Sequence, residues 1–240
     1  MRDPRAAPAP FDEAWSALAG PARRSLELAY DSLLAGGLAV GAVLTDERAQ
    51  IVAEGRNRAY DPPGGRDILQ GSPLAHAELN ALAAVDEGRA LERCTLWSSQ
   101  EPCAMCTAAA AFTGVGTIRY LAPDPWAIAT GRGRSGSGAV DASGPPRIVG
   151  PGEDLWLVAA NVLFLASIAR RRGLGHPTVE RNRGLEPETT RLVVDLVGSG
   201  VSARLTRDGS IGTFLGGLWG PIAAAATARL ARTGGRVAAP

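Results

Sequence analysis

The chain has 240 residues, a formal net charge of +1, 45% hydrophobic residues and 5% aromatic ones, which describes a globular domain with an extension and excludes a fibrous or disordered chain. Its basic residues are all arginine and number 25 against 24 acids, so no large net field draws polyanions to the surface and a dedicated nucleic-acid binder is disfavoured. Three cysteines, an odd number in a chain long enough to bury its own core, argue against a disulfide-stapled secreted scaffold and for a reducing cytoplasm.

Residues 1–10 are proline-rich, carry Asp3 and lack the apolar centre of a signal peptide, so they read as a short disordered tail. The spacing of Leu26, Leu28, Ala29, Leu33 and Leu34 predicts a helix over 21–34, stopped by Gly36 and Gly37. Two strands are expected over 38–45 and 50–55, joined by the polar turn Asp46-Glu47-Arg48. Prolines and glycines force a loop over 61–73, and the alanine- and leucine-rich run 74–85 reads as a helix ended by Gly88. A strand from Cys94 to Trp97, a helix over 103–112 and a strand over 117–121 complete the order β-β-α-β-α-β.

Over 123–152 the composition turns to glycine, proline, serine and arginine, the signature of a linker, and a boundary is placed near Ser143. Beyond it, 153–172, 186–198 and 211–232 read as helices. The first closes on Arg170, Arg171 and Arg172, which suit the negative end of a helix. The uncharged stretch 210–228 repeats small residues at Gly212, Gly216 and Gly220, a spacing also used by membrane helices. Its glycines, Pro221 and shortage of large apolar groups argue against insertion, so no membrane role is expected. A helix packed closely on the body or on a twin subunit is the expectation.

Chemistry concentrates in His76-Ala77-Glu78 and Pro102-Cys103-Ala104-Met105-Cys106, each on one helical turn. Residues three apart share a face, so both sulfurs can point at one atom and a histidine from a neighbouring helix can add a third ligand. Three ligands leave a tetrahedral position open, which separates a catalytic zinc from a structural one. Two thiolates make the metal a weaker acid, so a proton-relaying base is needed, and Glu78 is placed for it.

This H-x-E and P-C-x-x-C pair resembles the signature of the cytidine deaminase superfamily of zinc enzymes. The resemblance runs from about Leu38 to about Asp124 through Val40-Gly41-Ala42-Val43, Glu54-Gly55-Arg56-Asn57 and Arg119-Tyr120, where tRNA-adenosine, guanine and yeast-type cytosine deaminases carry similar segments. It implies a three-layer α/β/α fold with a mixed central sheet and a zinc-dependent deaminase domain, which the compositional boundary sets at 1–143, with the helices read beyond it forming a C-terminal extension at 144–240. It also implies that His76, Cys103 and Cys106 bind Zn²⁺ and that Glu78 relays protons to the ring nitrogen and the departing ammonia. By the same resemblance Asn57 contacts substrate, the Ala77 amide holds a base carbonyl, and the backbone at Glu101 faces the leaving amine. Asn57 also suits an ordinary turn cap. Asp124 and Trp126 follow the last strand, at the edge where open α/β sheets hold ligands; each either lines the pocket or serves as a turn aspartate and a packed tryptophan.

The chain departs from its relatives at Ala39, where they often have proline, and at Ser98-Ser99-Gln100-Glu101-Pro102-Cys103, where they often read Thr-Leu-Glu-Pro-Cys, an altered pocket wall. Cys94 is expected to be an inert core thiol and His176 a solvated loop residue. The expected function is hydrolytic deamination of a free nucleobase or nucleoside, guanine- or cytosine-like, in a cytoplasmic homodimer. The alternatives are a tRNA adenosine deaminase, in which nucleic acid is the partner, or a non-enzymatic zinc scaffold that keeps the fold.

Overall fold

A computed structural model describes residues 9–65, 69–126, 145–200 and 209–234. Five strands, β1 (Gly41–Thr45), β2 (Ile51–Arg56), β3 (Thr95–Gln100), β4 (Thr117–Ala122) and β5 (Arg147–Val149), form one sheet in the order β2-β1-β3-β4-β5. β1 runs antiparallel to β2 and β3, while β3, β4 and β5 are parallel. Every residue of β1 is buried, which follows from its place inside a sheet covered on both faces and explains its unbroken Gly-Ala-Val-Leu-Thr composition.

The helices are α1 (Phe11–Ala17), α2 (Gly20–Leu34), α3 (Ala77–Ala83), α4 (Ala104–Phe112), α5 (Asp154–Arg172), α6 (Pro177–Leu185), α7 (Pro187–Gly198), α8 (Ile211–Gly217) and α9 (Trp219–Thr233). Two glycines fix the layers. A Cβ on Gly41 would meet the Ser25 carbonyl at 2.2 Å and one on Gly55 the Ala77 carbonyl at 2.5 Å, so α2 and α3 lie directly on opposite faces of β1 and β2, at backbone distance. α5 joins α2 on its face, packing on β3 and β4, and α4 joins α3. The result is the expected three-layer arrangement around a mixed sheet.

α5 is buried from Trp156 to Ala169 on all sides, because the sheet covers one flank and α7 and α9 cover the other. Three rings join this layer to α1: Trp156 lies 5.8 Å from Trp15 and 5.3 Å from Trp219, whose indole N–H donates to the Ala9 carbonyl. Arg229 of α9, buried with Glu186, donates to both oxygens of that carboxylate at 2.7 and 2.9 Å and also to Asp154, two residues before Trp156. Arg232 makes a similar fork to Glu188.

Several sequence expectations are corrected. α1, α6 and β5 form where no element was expected. β5 is only three residues long inside a glycine- and proline-rich stretch, and pairing with β4, not propensity, makes it a strand. The single helix expected over 211–232 is two, α8 and α9, meeting at 61°. Proline loses the amide that an interior helical bond needs, so Pro221 falls in the first turn of a new helix. No single described helix is long and apolar enough to cross a membrane. Gly212 and Gly216 face Phe11 of α1, whereas nothing lies near Gly220. The boundary expected near Ser143 lies outside the described residues; on its far side β5 belongs to the sheet and α5 to the same core.

Candidate active site

The site forms where the beginnings of α3 and α4 meet. His76 is the residue before α3, in extended conformation, and Cys103 holds the same position before α4. The run expected as helix from Leu74 therefore starts at Ala77, and the turn leaves both side chains at helix entrances. Cys106 follows within the first turn of α4, the end at which a helix favours anions. Asn80 fixes α3 against the sheet, its amide donating to the Arg56 carbonyl at 2.8 Å.

Three donor atoms converge. His76 Nδ1 is 3.6 Å from Cys103 Sγ and 3.5 Å from Cys106 Sγ, and the two sulfurs are 3.6 Å apart. Sulfurs bound at about 2.3 Å and a nitrogen at about 2.0 Å around a tetrahedral zinc stand about 3.5–3.8 Å from one another, so this donor set fits that ion. The protonation chemistry fits as well. The Cys103 thiol is drawn down to about 4, first by its bond from Cys106 and also by His76, while Cys106 is pushed upward by the bond to Cys103 and by burial. Cys103 and Cys106 would both hold a dication as thiolates, with loss of the proton they otherwise share. Among the described residues no other group of three such side chains gathers.

Glu78 is buried beside this group. Its Oε1 accepts from the Ser98 hydroxyl at 2.8 Å and its Oε2 lies 3.5 Å from Cys106 Sγ. Burial pushes the carboxyl upward, against the opposing pull of the Ser98 bond and His76, which brings it closer to the range where one group can both take and give a proton. Burial also raises Asp124 to about 6, with Glu101, Cys103 and Glu78 adding negative charge around it. Glu101 Oε2 accepts from the Asp124 amide at 3.3 Å, so these two carboxylates close the rim after β3 and β4 together.

The remaining expected residues divide. Ala77 is fully buried as the first residue of α3. Asn57 is buried at the end of β2, where Ser32 donates to its carbonyl and its own amide bonds Val40. Its side-chain oxygen accepts from the Ala59 amide, the ordinary turn use, which leaves the NH₂ end and one oxygen lone pair for another partner. Asp124 likewise caps a turn through the Trp126 amide. Trp126 turns to the C-terminal layer: its indole donates to Thr178 at 2.9 Å and Arg181 lies 4.8 Å over its ring. The ring is nevertheless 44% exposed, so these contacts tether it at the surface.

Cys94 is buried one residue before β3, with its thiol raised by burial and donating weakly to the Ala90 carbonyl. His176 precedes α6 and accepts from the Thr178 amide, an N-cap rather than a free loop residue. Arg171 reaches the Gly36 carbonyl and stacks over Tyr60 at 3.8 Å. Sequence reasoning missed Ser98 and Asn80 as supports of the site. The replaced run before Cys103 carried a signal for the first, but nothing in the pattern marked the second.

Residues 22–122 match the family model of the cytidine and deoxycytidylate deaminase zinc-binding region. The chain is 35% identical over 105 residues to a tRNA-specific adenosine deaminase of Haemophilus influenzae, covering 42% of this chain and 56% of the other. It is 31% identical over 94 residues to a probable cytosine deaminase of Schizosaccharomyces pombe, covering 39% and 52%. The chain thus spans about half the length of these curated relatives. A guanine deaminase structure from Nitrosomonas europaea shows 27% identity over 70% of this chain and 98% of its own, with a TM-score of 0.44. Both motifs and the three converging ligands fall inside residues 22–122, the span that matches the cytidine and deoxycytidylate deaminase zinc-binding region.

Proposed function

We propose that the protein is a zinc-dependent hydrolytic deaminase of a free nucleobase or nucleoside of guanine- or cytosine-like chemistry. The observation that carries this reading is Glu78, a buried carboxylate 3.5 Å from Cys106 Sγ and held by Ser98. A structural metal site has no use for a buried acid beside its ligands, since leaving a carboxylate there costs desolvation that a fold alone would avoid.

His76, Cys103 and Cys106 hold the ion. Zinc, when bound, supplies the Lewis acidity that makes water nucleophilic near neutral pH. Glu78 accepts the proton of the attacking water, protonates the ring nitrogen, and later delivers a proton to the amine. The C–N bond breaks as the carbonyl forms, so one amine-bearing carbon and one water give one carbonyl and one ammonia. Ser98 fixes one oxygen of Glu78 and leaves Oε2 facing the ligand group for these transfers. Asn57 and the Ala77 amide orient the ring, and Glu101 with Asp124 bounds the side where the amine departs. Near-balanced charge favours a small base over tRNA as the substrate.

The test is ammonia release from guanine, cytosine, adenine, their nucleosides and a tRNA anticodon stem-loop, comparing the zinc-loaded chain with Glu78→Gln. The expected result is turnover of one free base or nucleoside, reduced by about 10²–10⁴-fold in the variant while bound zinc is unchanged. Turnover confined to the stem-loop replaces the substrate class. Silence on all substrates with stoichiometric zinc removes the deaminase reading.

A further inference from the structure

Gln100 ends β3, three residues before Cys103, and is 2% exposed. Both atoms of its carboxamide, Oε1 and Nε2, are buried with no hydrogen-bond partner among the described residues. Burying a donor and an acceptor unpaired is costly, and folded proteins keep few such groups. The other orphaned atoms, Asn161 Oδ1 and Thr189 Oγ1, are single atoms within the helical layer. Gln100 is the described residue with both ends of its amide unused.

Its position gives that amide a direction. Side chains two apart on a strand share a face, so Gln100 lies on the face of Ser98, whose hydroxyl holds Glu78 at 2.8 Å. The Gln100 backbone N–H, not its carboxamide, donates to Ser98 Oγ at 3.4 Å. Across the sheet its partner on β4 is Ala122, whose methyl offers no hydrogen bond. The carboxamide therefore sits at the strand end that leads into Glu101 and the ligand cysteine, on the side of the sheet that carries the proton relay.

We infer that Gln100 is a specificity-determining residue whose carboxamide reads a lactam edge on the substrate, a ring N–H beside a ring carbonyl. Oε1 accepts from the ring N–H while Nε2 donates to the carbonyl, so one side chain satisfies both atoms and is itself satisfied. Guanine and free cytosine present this edge, whereas adenine has no ring carbonyl. The inference rests on the deaminase reading and narrows its substrate class to amino-oxo heterocycles.

The test pairs turnover with binding, using the zinc-loaded full chain and Gln100→Met, which keeps the volume and removes both polar atoms; Gln100→Leu stands in if the first variant does not fold. Turnover compares guanine with 2-aminopurine, its analogue without the carbonyl, and cytosine with adenine. Binding is measured by calorimetry with xanthine and uracil, the oxo products. The expected result is a loss of about a hundredfold in kcat/KM and affinity for lactam-bearing bases, the size of two lost neutral hydrogen bonds. Handling of 2-aminopurine and adenine should change by less than about threefold, with zinc content unchanged and the melting temperature equal or higher.

A higher melting temperature with unaltered base preference overturns the inference and makes the amide a structural defect. Preference of the parent chain for adenine overturns it too. If the parent releases no ammonia from any base, the deaminase reading falls, and xanthine and uracil binding decides this one: weakening by Gln100→Met supports it, and no binding or equal binding ends it.

Discussion

Around the metal-ligand group, the buried and half-buried ionisable side chains come from two short stretches, His76 to Glu78 and Cys103 to Cys106, whereas Arg229 gathers Glu186 and Asp154 from 43 and 75 residues away. Each cluster sets ionisable groups around at least one fully buried member, Cys106 and Glu78 in the first and Arg229 and Glu186 in the second. In the first, two thiols and a histidine leave their charge to be balanced by an ion, and the Glu78 carboxyl is held upward by burial. In the second, one guanidinium donates to two carboxylates and the charges are settled within the chain. The difference teaches that burial of charge alone does not mark a reactive site. What marks it is charge left open to an ion or a substrate.

Removing a ligand should separate the regions most sharply. Cys106→Ser is expected to abolish stoichiometric zinc binding, measured by metal analysis, while circular dichroism keeps the helical content that α5 to α9 supply. Loss of the fold together with the metal would show that the ion holds the sheet and not only the site. Arg229→Ala is expected to cost about 3–5 kcal/mol, because it leaves Glu186 buried without its partner, and to lower the melting temperature by about 10 °C in a chain of this size. Zinc content measured well below the transition should stay unchanged; if it falls, the two clusters are coupled through α5.

Gly55→Ala sharpens the comparison from the sheet side. The added methyl would meet Ala77 O and Ala81 N at 2.5 Å, so α3 must move outward, carrying His76 and Glu78 with it. Such overpacking costs about 1–3 kcal/mol, and a competition titration with a chelator should read weaker zinc binding as well. The smallest effect belongs to Glu188, whose carboxyl Arg232 holds below its ordinary value. A depressed carboxylate stabilises above the ordinary carboxylate range and loses that contribution as pH falls through its folded value. Glu188→Gln should therefore cost under about 1 kcal/mol at pH 7, and the gap to the parent in thermal melts should close as pH drops below about 4.5. A gap that persists in acid would mean packing, not charge, is what Glu188 supplies.

Legibility followed sequence distance. The ligands and Glu78 were readable because helical spacing alone puts Cys103 and Cys106 on one turn, and the β-β-α-β-α-β order was readable from runs of apolar residues bounded by glycine and proline. The Arg229 cluster was not, since no spacing rule connects residues 154, 186 and 229. α6 escaped because its Thr-Val-Glu-Arg-Asn-Arg-Gly composition is polar and ordinary; its start at His176-Pro177 was legible as a cap only in hindsight of the Thr178 bond. Trp126 was placed at the correct sheet edge, but its partner Thr178 lies 52 residues on, so its attachment to the helical layer had no local trace. Gln100 was visible as an altered wall, while its lack of partners is a property of packing that no sequence displays.

Phe11, Trp15, Trp156 and Trp219 place rings from the amino-terminal helix, the central helix and the last helix within 5.2 to 5.8 Å of one another. Three of the five tryptophans in the chain thus sit at one joint, close enough to pass excitation energy among themselves. Intrinsic fluorescence from this protein is for that reason weighted toward the seating of the helical layer on the sheet, and a change in emission during denaturation reports that joint opening before it reports anything at the metal ligands.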